Sequence, residues 1–351
     1  METKRIYSLD LLKFIVIIGI IIPHFQASTG ISIIISKYSP GYILELLFIT
    51  SGFLSMSWFS SAEKIETTCA KGFPSYLKHK CIRLYPMATL STLFTVFCGF
   101  LFRLYFSQWF FDQVPSLWKV FKTLLLVNGG LFEQERIYNS VTWYMSVLLL
   151  CYSFQYFYVY LCKRTALKVE YFYIFMILFG IIGYTTNRIP CFALWSYRGY
   201  ASFFIGCMIY KVYSTQNLKR QLLICSIMAF TICIMAGIIN FNLFYDDDIC
   251  QWGISTVVLW PSTFIIFLEL NRFFKSPKWQ ILGSISFEMY LWHMSFIILH
   301  LIFRDLFPNF FQSEILQMIL FFIFLIIISF VIFNFVEKPI TKKLSKLFEI
   351  K

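Results

Sequence analysis

Lys13 and His24 stand eleven residues apart in the stretch KFIVIIGIIIPH, with no charged residue between them. On an α-helix, eleven steps of about 100° make three turns and roughly 20°, so the two side chains share one face, about 16 Å apart along the axis. A cation at one end of that face suits an anionic ligand. An imidazole at the other suits proton transfer near neutral pH, because its unperturbed pKa is about 6.5. Ionisable groups inside an apolar helix are costly and usually face a bundle interior, which makes both residues candidates for function. The structural alternative is that Lys13 snorkels to an interface and His24 only hydrogen-bonds there. Pro23 removes a backbone donor and crowds the carbonyl of Gly19, so the helix is expected to bend or end at His24 and to aim it into a cavity.

Three further stretches carry chemistry-bearing residues. In YLKHKCIRLYP, Lys80 and Arg83 lie three apart beside Lys78 and His79. Such a cluster fits a phosphate-rich ligand, with arginine as a fork and lysine as a point charge, and it equally fits anchoring at a membrane face. In ISFEMYLWHMSFIILH, Ser286, Tyr290, His293 and His300 fall at offsets of 0, 4, 7 and 14, close to one helical stripe that should face inward, while Glu288 lies off it. That stripe admits a bland reading too, in which Tyr290 and His293 satisfy each other or a backbone carbonyl. Ser51, in ITSGFLSMSW, sits beside Gly52 where small residues allow helices to approach, and its hydroxyl can donate across the contact. It lacks the G-x-S-x-G setting of a nucleophile.

The elements that must position these residues are apolar helices. Of the 351 residues 59% are hydrophobic and only 14% are charged, against about 25% charged in soluble domains. Ten stretches are long and apolar enough to cross a hydrocarbon core of about 30 Å, near 9–27, 42–59, 84–103, 141–162, 171–187, 199–213, 222–240, 253–270, 281–303 and 315–336. The fold class is therefore all-α, a polytopic membrane protein of about ten transmembrane helices forming a single domain over residues 1–351. A weaker segment, 117–131, is expected to be a re-entrant or surface helix. As an eleventh span it would carry Lys163, Arg164 and Lys168 outside, against the positive-inside rule.

The net charge of +12 would suggest nucleic acid in a soluble protein, but its distribution points to a membrane and to no nucleic-acid partner. Basic residues gather at 4–5, 64–83, 163–168, 211–220, 272–278 and 338–351, and with Lys13 these hold 22 of the 30 cations. Placing them in the cytoplasm puts both termini there as well. The N-terminus resembles a signal peptide, but Asp10 and Lys13 intrude and no A-x-A site follows, so it reads as a retained first helix. The expected outer loops carry Trp109, Asp112, Trp118, Glu133, Glu135 and Arg136, and Asp246, Asp247 and Asp248; they suit either a polar acceptor or a solvated rim. The ten cysteines show no metal-ligand spacing and read as small core residues, although Cys191 and Cys250 both fall outside, where a disulfide is allowed. Walker loops, dinucleotide fingerprints and H-E-x-x-H zinc pairs are absent from the sequence.

Taken in order, SLDLLKFIVIIGIIIPH, FITSGFL, KCIRLYP, TWYMSVLLL, RGYASFFIG, SFEMYLWH and FVEKP resemble the integral-membrane acyltransferase family 3. Members of that family move acyl groups, often acetyl, to extracytoplasmic sugars and other acceptors, on a core of ten membrane helices. The resemblance implies an acyl-transfer role for His24 with Lys13, and Asp10 as their acidic neighbour. Lys80 and Arg83 would bind acyl-coenzyme A, although the family usually has arginine at the first of these positions, so bidentate phosphate binding is lost there. Trp143, Arg198, Glu337, Ser51, Tyr290 and His293 fall in its other motifs and are expected to support the site; Leu148 stands where one branch has a glutamate. The stand-alone branch works on surface polysaccharides or lipid-linked precursors.

The implied reaction is O-acyl transfer at a cell membrane, from cytoplasmic acyl-coenzyme A, acetyl-coenzyme A above all, to a glycan hydroxyl outside. His24 would serve as general base or as acyl carrier, with Ser51 or a backbone N–H steadying the oxyanion. Acyl-coenzyme A is then a co-substrate, and neither a permanently bound cofactor nor a metal is expected. The competing reading is a transporter of a polysaccharide precursor, since intramembrane His and Lys also suit proton relays. Against it, the sequence lacks the internal duplication and paired broken helices common in transporters.

Overall fold

A computed structural model describes residues 5–31, 42–110, 116–129, 139–165, 167–186, 194–214, 216–238 and 248–348. The expected outer residues Asp112, Glu133, Glu135, Arg136, Asp246 and Asp247 lie outside these, as does Cys191, and with it any pairing to Cys250. The elements are α1 (Tyr7–Thr29), α2 (Glu45–Ser55, continued by the 3-10 turn Met56–Phe59), α3 (Ala62–Phe106), α4 (Leu117–Leu124), α5 (Trp143–Thr165), α6 (Val169–Thr186) and α7 (Leu194–Tyr213). They continue as α8 (Gln216–Ile238), α9 (Asp248–Ile254), α10 (Trp260–Leu270), α11 (Gln280–Leu306), α12 (Glu314–Ile332) and α13 (Lys338–Leu347). Among the described residues no strand occurs.

Eight helical rods are long and apolar enough to cross a membrane: α1, α3, α5, α6, α8, α9 running through a π-turn into α10, α11, and α12 running through another into α13. The 20-residue α7 and the shorter Glu45–Phe59 rod occupy the remaining two expected positions. α1 and α11 pack along one another in the same direction. A side chain at Gly283 would strike Asp10, the His24 and His293 rings meet further on, and Arg304 donates to the Thr29 carbonyl beyond them at 2.8 Å. First and ninth spans of an alternating bundle must run parallel in this way.

Two expectations need revision, and a third is met. α1 does not end at His24: Pro23 lies inside it, and the helix runs to Thr29, where Gly30 closes it at φ 75° with its N–H on the Gln26 carbonyl. Proline costs the helix one hydrogen bond, and burial of Ile20, Ile21 and Phe25 on either side of it holds the rod together. The third span belongs to a longer helical stretch, Ala62–Phe106, made of two helices that meet at a kink: the first is capped by Ser61, which accepts from the Lys64 N–H at 3.2 Å, and the second, which carries the span, follows Gly72 and so starts ahead of residue 84. The one non-helical residue of the stretch is Gly72, at φ 81° and ψ 163°. Segment 117–131, described as far as residue 129, holds only a short helix, as expected of a re-entrant or surface element. α4 has 8 residues, too few to cross, and after it the Leu125 carbonyl accepts from Tyr85 Oη at 2.8 Å. Tyr85 lies about 30 Å back along α3 from Phe106 at 1.5 Å per residue.

The middle of the bundle is closed by a glycine contact. A side chain on Gly52 would collide with the Phe203 carbonyl, and one on Gly206 with the Ile49 carbonyl. Small residues at both positions let the α2 and α7 backbones touch. That contact fixes the face on which α2 presents Ser51.

Candidate active site

At the Lys13 end of the bundle lies a cavity of about 330 Å³ whose lining includes Lys13, Ser51, Lys80, Arg83, Tyr144 and Tyr290. Along α2 its lining runs from Trp58 in to Leu47, which spans about 16 Å at 1.5 Å per residue. Among the described residues three cations, Lys13, Lys80 and Arg83, line it and no carboxylate does. The sequence-derived pairing of Lys80 with Arg83 is thus met in space, and Lys13 joins them.

Each cation is held differently. Lys80 Nζ lies over the faces of Tyr152 at 4.5 Å, Trp58 at 5.1 Å and Tyr76 at 5.4 Å, so ring quadrupoles steady it and its charge is not neutralised. Arg83 has no ion-pair partner among the described residues. Lys13 Nζ is 3.9 Å from Asp10 Oδ1, a loose contact, because Asp10 is engaged by Arg5 through Nε at 2.8 Å and Nη2 at 3.2 Å. Arg5 went unread in the sequence: it precedes the helix, where no periodicity marks a partner.

The inner end of the cavity is formed by Leu47, Tyr144 and Tyr290. Ser51 Oγ and Tyr144 Oη lie 3.0 Å apart, and Tyr144 Oη also donates to the Leu47 carbonyl at 3.3 Å. Tyr290 Oη donates to the Val141 carbonyl at 2.7 Å, and its ring meets that of Tyr144 edge-on with centroids 5.8 Å apart. Ser51 therefore does both things proposed for it, close packing through its neighbour Gly52 and a hydrogen bond across helices. Tyr144 is a site residue that an apolar span gave no reason to single out.

His24 does not line this cavity. The last α1 residue to do so is Ile17, about 10 Å short of it along the axis. His24 is exposed and sets its ring 5.3 Å from that of His293 at 46°. His293 is fully buried, with Nδ1 2.7 Å from the Tyr290 carbonyl. A carbonyl only accepts, so Nδ1 carries the proton and Nε2 keeps a lone pair, for which no partner occurs among the described residues. The bland reading of the α11 stripe is half met: Tyr290 and His293 are each satisfied by a backbone carbonyl, and one imidazole nitrogen is left over.

The stripe Ser286, Tyr290, His293 and His300 is buried, and so is Glu288, because α11 is enclosed on all sides. Glu288 Oε2 accepts from Trp292 Nε1 at 2.7 Å, and its carboxyl meets that of Glu337. Glu337 is buried in the π-turn Phe333–Glu337 and so is more than the boundary marker it resembled. Arg198 and Trp143 stand beyond the cavity's inner end: Arg198 grips Glu45 through Nε at 2.5 Å and Nη2 at 3.0 Å, and its guanidinium lies 5.4 Å from the Trp143 ring centre.

These features define a polytopic membrane protein with a cationic cavity at one end of its first helix and a histidine pair toward the other. An acyltransferase-domain family model, that of acyltransferase family 3, matches residues 6–334, and the chain belongs to that family of membrane acyltransferases. No curated protein and no solved structure gives a significant match.

Proposed function

We propose that the protein is a cell-membrane O-acyltransferase that takes an acyl group, acetyl first of all, from acyl-coenzyme A at the Lys13 end and delivers it to a hydroxyl of a glycan or lipid-linked glycan at the His24 end. One observation carries this reading: the same helix that lends Lys13 to a carboxylate-free cationic cavity carries an exposed histidine against a second, buried one. The coenzyme's phosphates would meet Arg83, Lys80 and Lys13, with arginine supplying the fork and the lysines point charge. The Lys13 end would face the cytoplasm, with both chain termini, as the cation distribution favours.

His24 would remove the proton from the acceptor hydroxyl as its oxygen attacks the thioester carbonyl. Collapse of the tetrahedral species breaks the carbon–sulfur bond, and the departing thiolate recovers the proton from the imidazolium. In the variant route the His24 imidazole attacks the thioester, the carbon–sulfur bond breaks and coenzyme A leaves with the imidazole proton; the glycan oxygen then displaces the imidazole, which takes up the hydroxyl proton. His293 Nε2 is a bare acceptor on the ring that touches His24, and the Ser51 hydroxyl, turned from Tyr144, would serve a thioester oxygen at the inner end of the cavity. For thioester and His24 to meet, the Tyr144–Tyr290 pair has to part. Purified protein given labelled acetyl-coenzyme A and a surface-glycan acceptor tests the reading. Label in the glycan, as an alkali-labile ester, supports it; a glycan moved across vesicles with no label transferred would favour the transporter instead.

A further inference from the structure

A second constellation lies behind the inner end of the cavity and is not used by the chemistry above. Glu45 is two residues beyond Leu47 on α2, and Trp143 is one residue before Tyr144. Arg198 holds Glu45 through two N–H bonds, and Trp252 Nε1 donates to the same Glu45 Oε1 at 3.1 Å. The guanidinium lies over Tyr42 at 4.7 Å as well as over Trp143, and the Trp143 ring leans on Trp195 with centroids 5.0 Å apart at 34°.

Part of this cluster is open. Trp252 is fully buried, but Tyr42, Trp143 and Trp195 are only half-buried, and the Arg198 side chain keeps 15% of its surface accessible. A guanidinium turned toward acyl chains is costly, so this opening faces water or a polar ligand. Glu45 occupies two of the five N–H groups of Arg198, which leaves three donors in the same plane beside the indoles.

The charges decide what such a site takes. Arg198 and Glu45 cancel, so an anionic group would gain from the arginine only what it lost to the carboxylate beside it. A neutral pyranose fits what is left: its C–H face lies on indole and its hydroxyls reach the remaining guanidinium donors, while Glu45, itself fully buried, holds the guanidinium in place and cancels its charge. We infer that Tyr42, Trp143, Trp195 and the Arg198–Glu45 pair form the acceptor subsite, and that it holds a neutral pyranose ring. This rests on the reading that the acceptor is a glycan. Aromatic contacts run from the platform to the histidines, through Phe48 to Trp143 at 6.0 Å and to Tyr144 at 4.5 Å, then Tyr144 to Tyr290 and Tyr290 to His293 at 6.1 Å.

Trp195→Ala and Trp195→Phe separate a sugar platform from a packing role. Calorimetric titration of the detergent-solubilised protein with neutral hexose oligosaccharides and with uronic-acid oligosaccharides of equal length reads binding without needing turnover. The wild type should bind the neutral series more tightly, Trp195→Ala should weaken that binding about tenfold, and Trp195→Phe should restore most of it. Both variants should bind acetyl-coenzyme A as the wild type does, which shows that they are folded. Equal neutral-sugar affinity in all three proteins, a preference for the uronic acids, or no sugar binding at all would overturn the platform. Sugar binding of the expected pattern without any acyl transfer would leave the platform standing and sink the acyltransferase chemistry alone.

Discussion

The rings of His24 and His293 lie with centroids 5.3 Å apart, one exposed and the other fully buried. The buried ring is fixed by its bond to the Tyr290 carbonyl at 2.7 Å, so it can orient its neighbour or accept a proton but cannot swing out to meet a substrate. His293→Gln should therefore lower kcat, by about 10 to 100-fold, while the KM values for both substrates stay near wild type. Steady-state kinetics with each substrate varied in turn checks this. Unchanged kcat would make His293 a packing residue.

Among the described residues Arg83 forms no ion pair with a carboxylate, and Lys80 is held by ring faces. Arg83→Ala should raise the KM for acyl-coenzyme A by about 10 to 100-fold, as expected for a lost charge-assisted bond of about 1.5–3 kcal/mol. Lys80→Ala should raise it less, and added salt should weaken donor binding in the wild type more than in either variant. Donor affinity that ignores both substitutions would reduce the cluster to membrane anchoring.

Gly52 and Gly206 bring two backbones into contact, and nothing lies within 4 Å of where a side chain on Gly253 would be. Gly52→Ala or Gly206→Ala should cost at least the 1–3 kcal/mol or so of an overpacked core, and Gly253→Ala should cost far less. Thermal unfolding in detergent compares the three. Equal melting temperatures would mean that α2 and α7 do not touch as described.

Much of this was legible in the sequence. Ten apolar rods, the shared face of Lys13 and His24, and the buried stripe on α11 all follow from length and from a 3.6-residue period, the signals that survive any tertiary context. Arg5, Glu45, Tyr144 and Trp195 did not announce themselves. Their partners sit on other helices or before a helix start, and nothing in local spacing encodes those meetings. The apolar span 9–27 already carried α1 past Pro23, and the structure extends it to Thr29, because buried neighbours hold the helix where the proline removes a hydrogen bond.

Sidedness has its own test. Single cysteines introduced at Lys71 and Ser276, in an otherwise cysteine-free background, should react only with reagents that enter the cytoplasm, and one at Asn309 should react with impermeant reagents. Labelling of Ser276 from outside would invert the bundle.

The claim that His24 handles the transferred proton or acyl group is tested most directly by His24→Gln. Glutamine keeps hydrogen bonding and approximate size but accepts no proton and carries no acyl group. Assayed with labelled acetyl-coenzyme A and a glycan acceptor, the variant should lose at least about 10² to 10⁴-fold in transfer rate while still inserting into membranes and binding acetyl-coenzyme A with wild-type affinity. Transfer at the wild-type rate by His24→Gln would contradict the mechanism and leave the histidine a structural role.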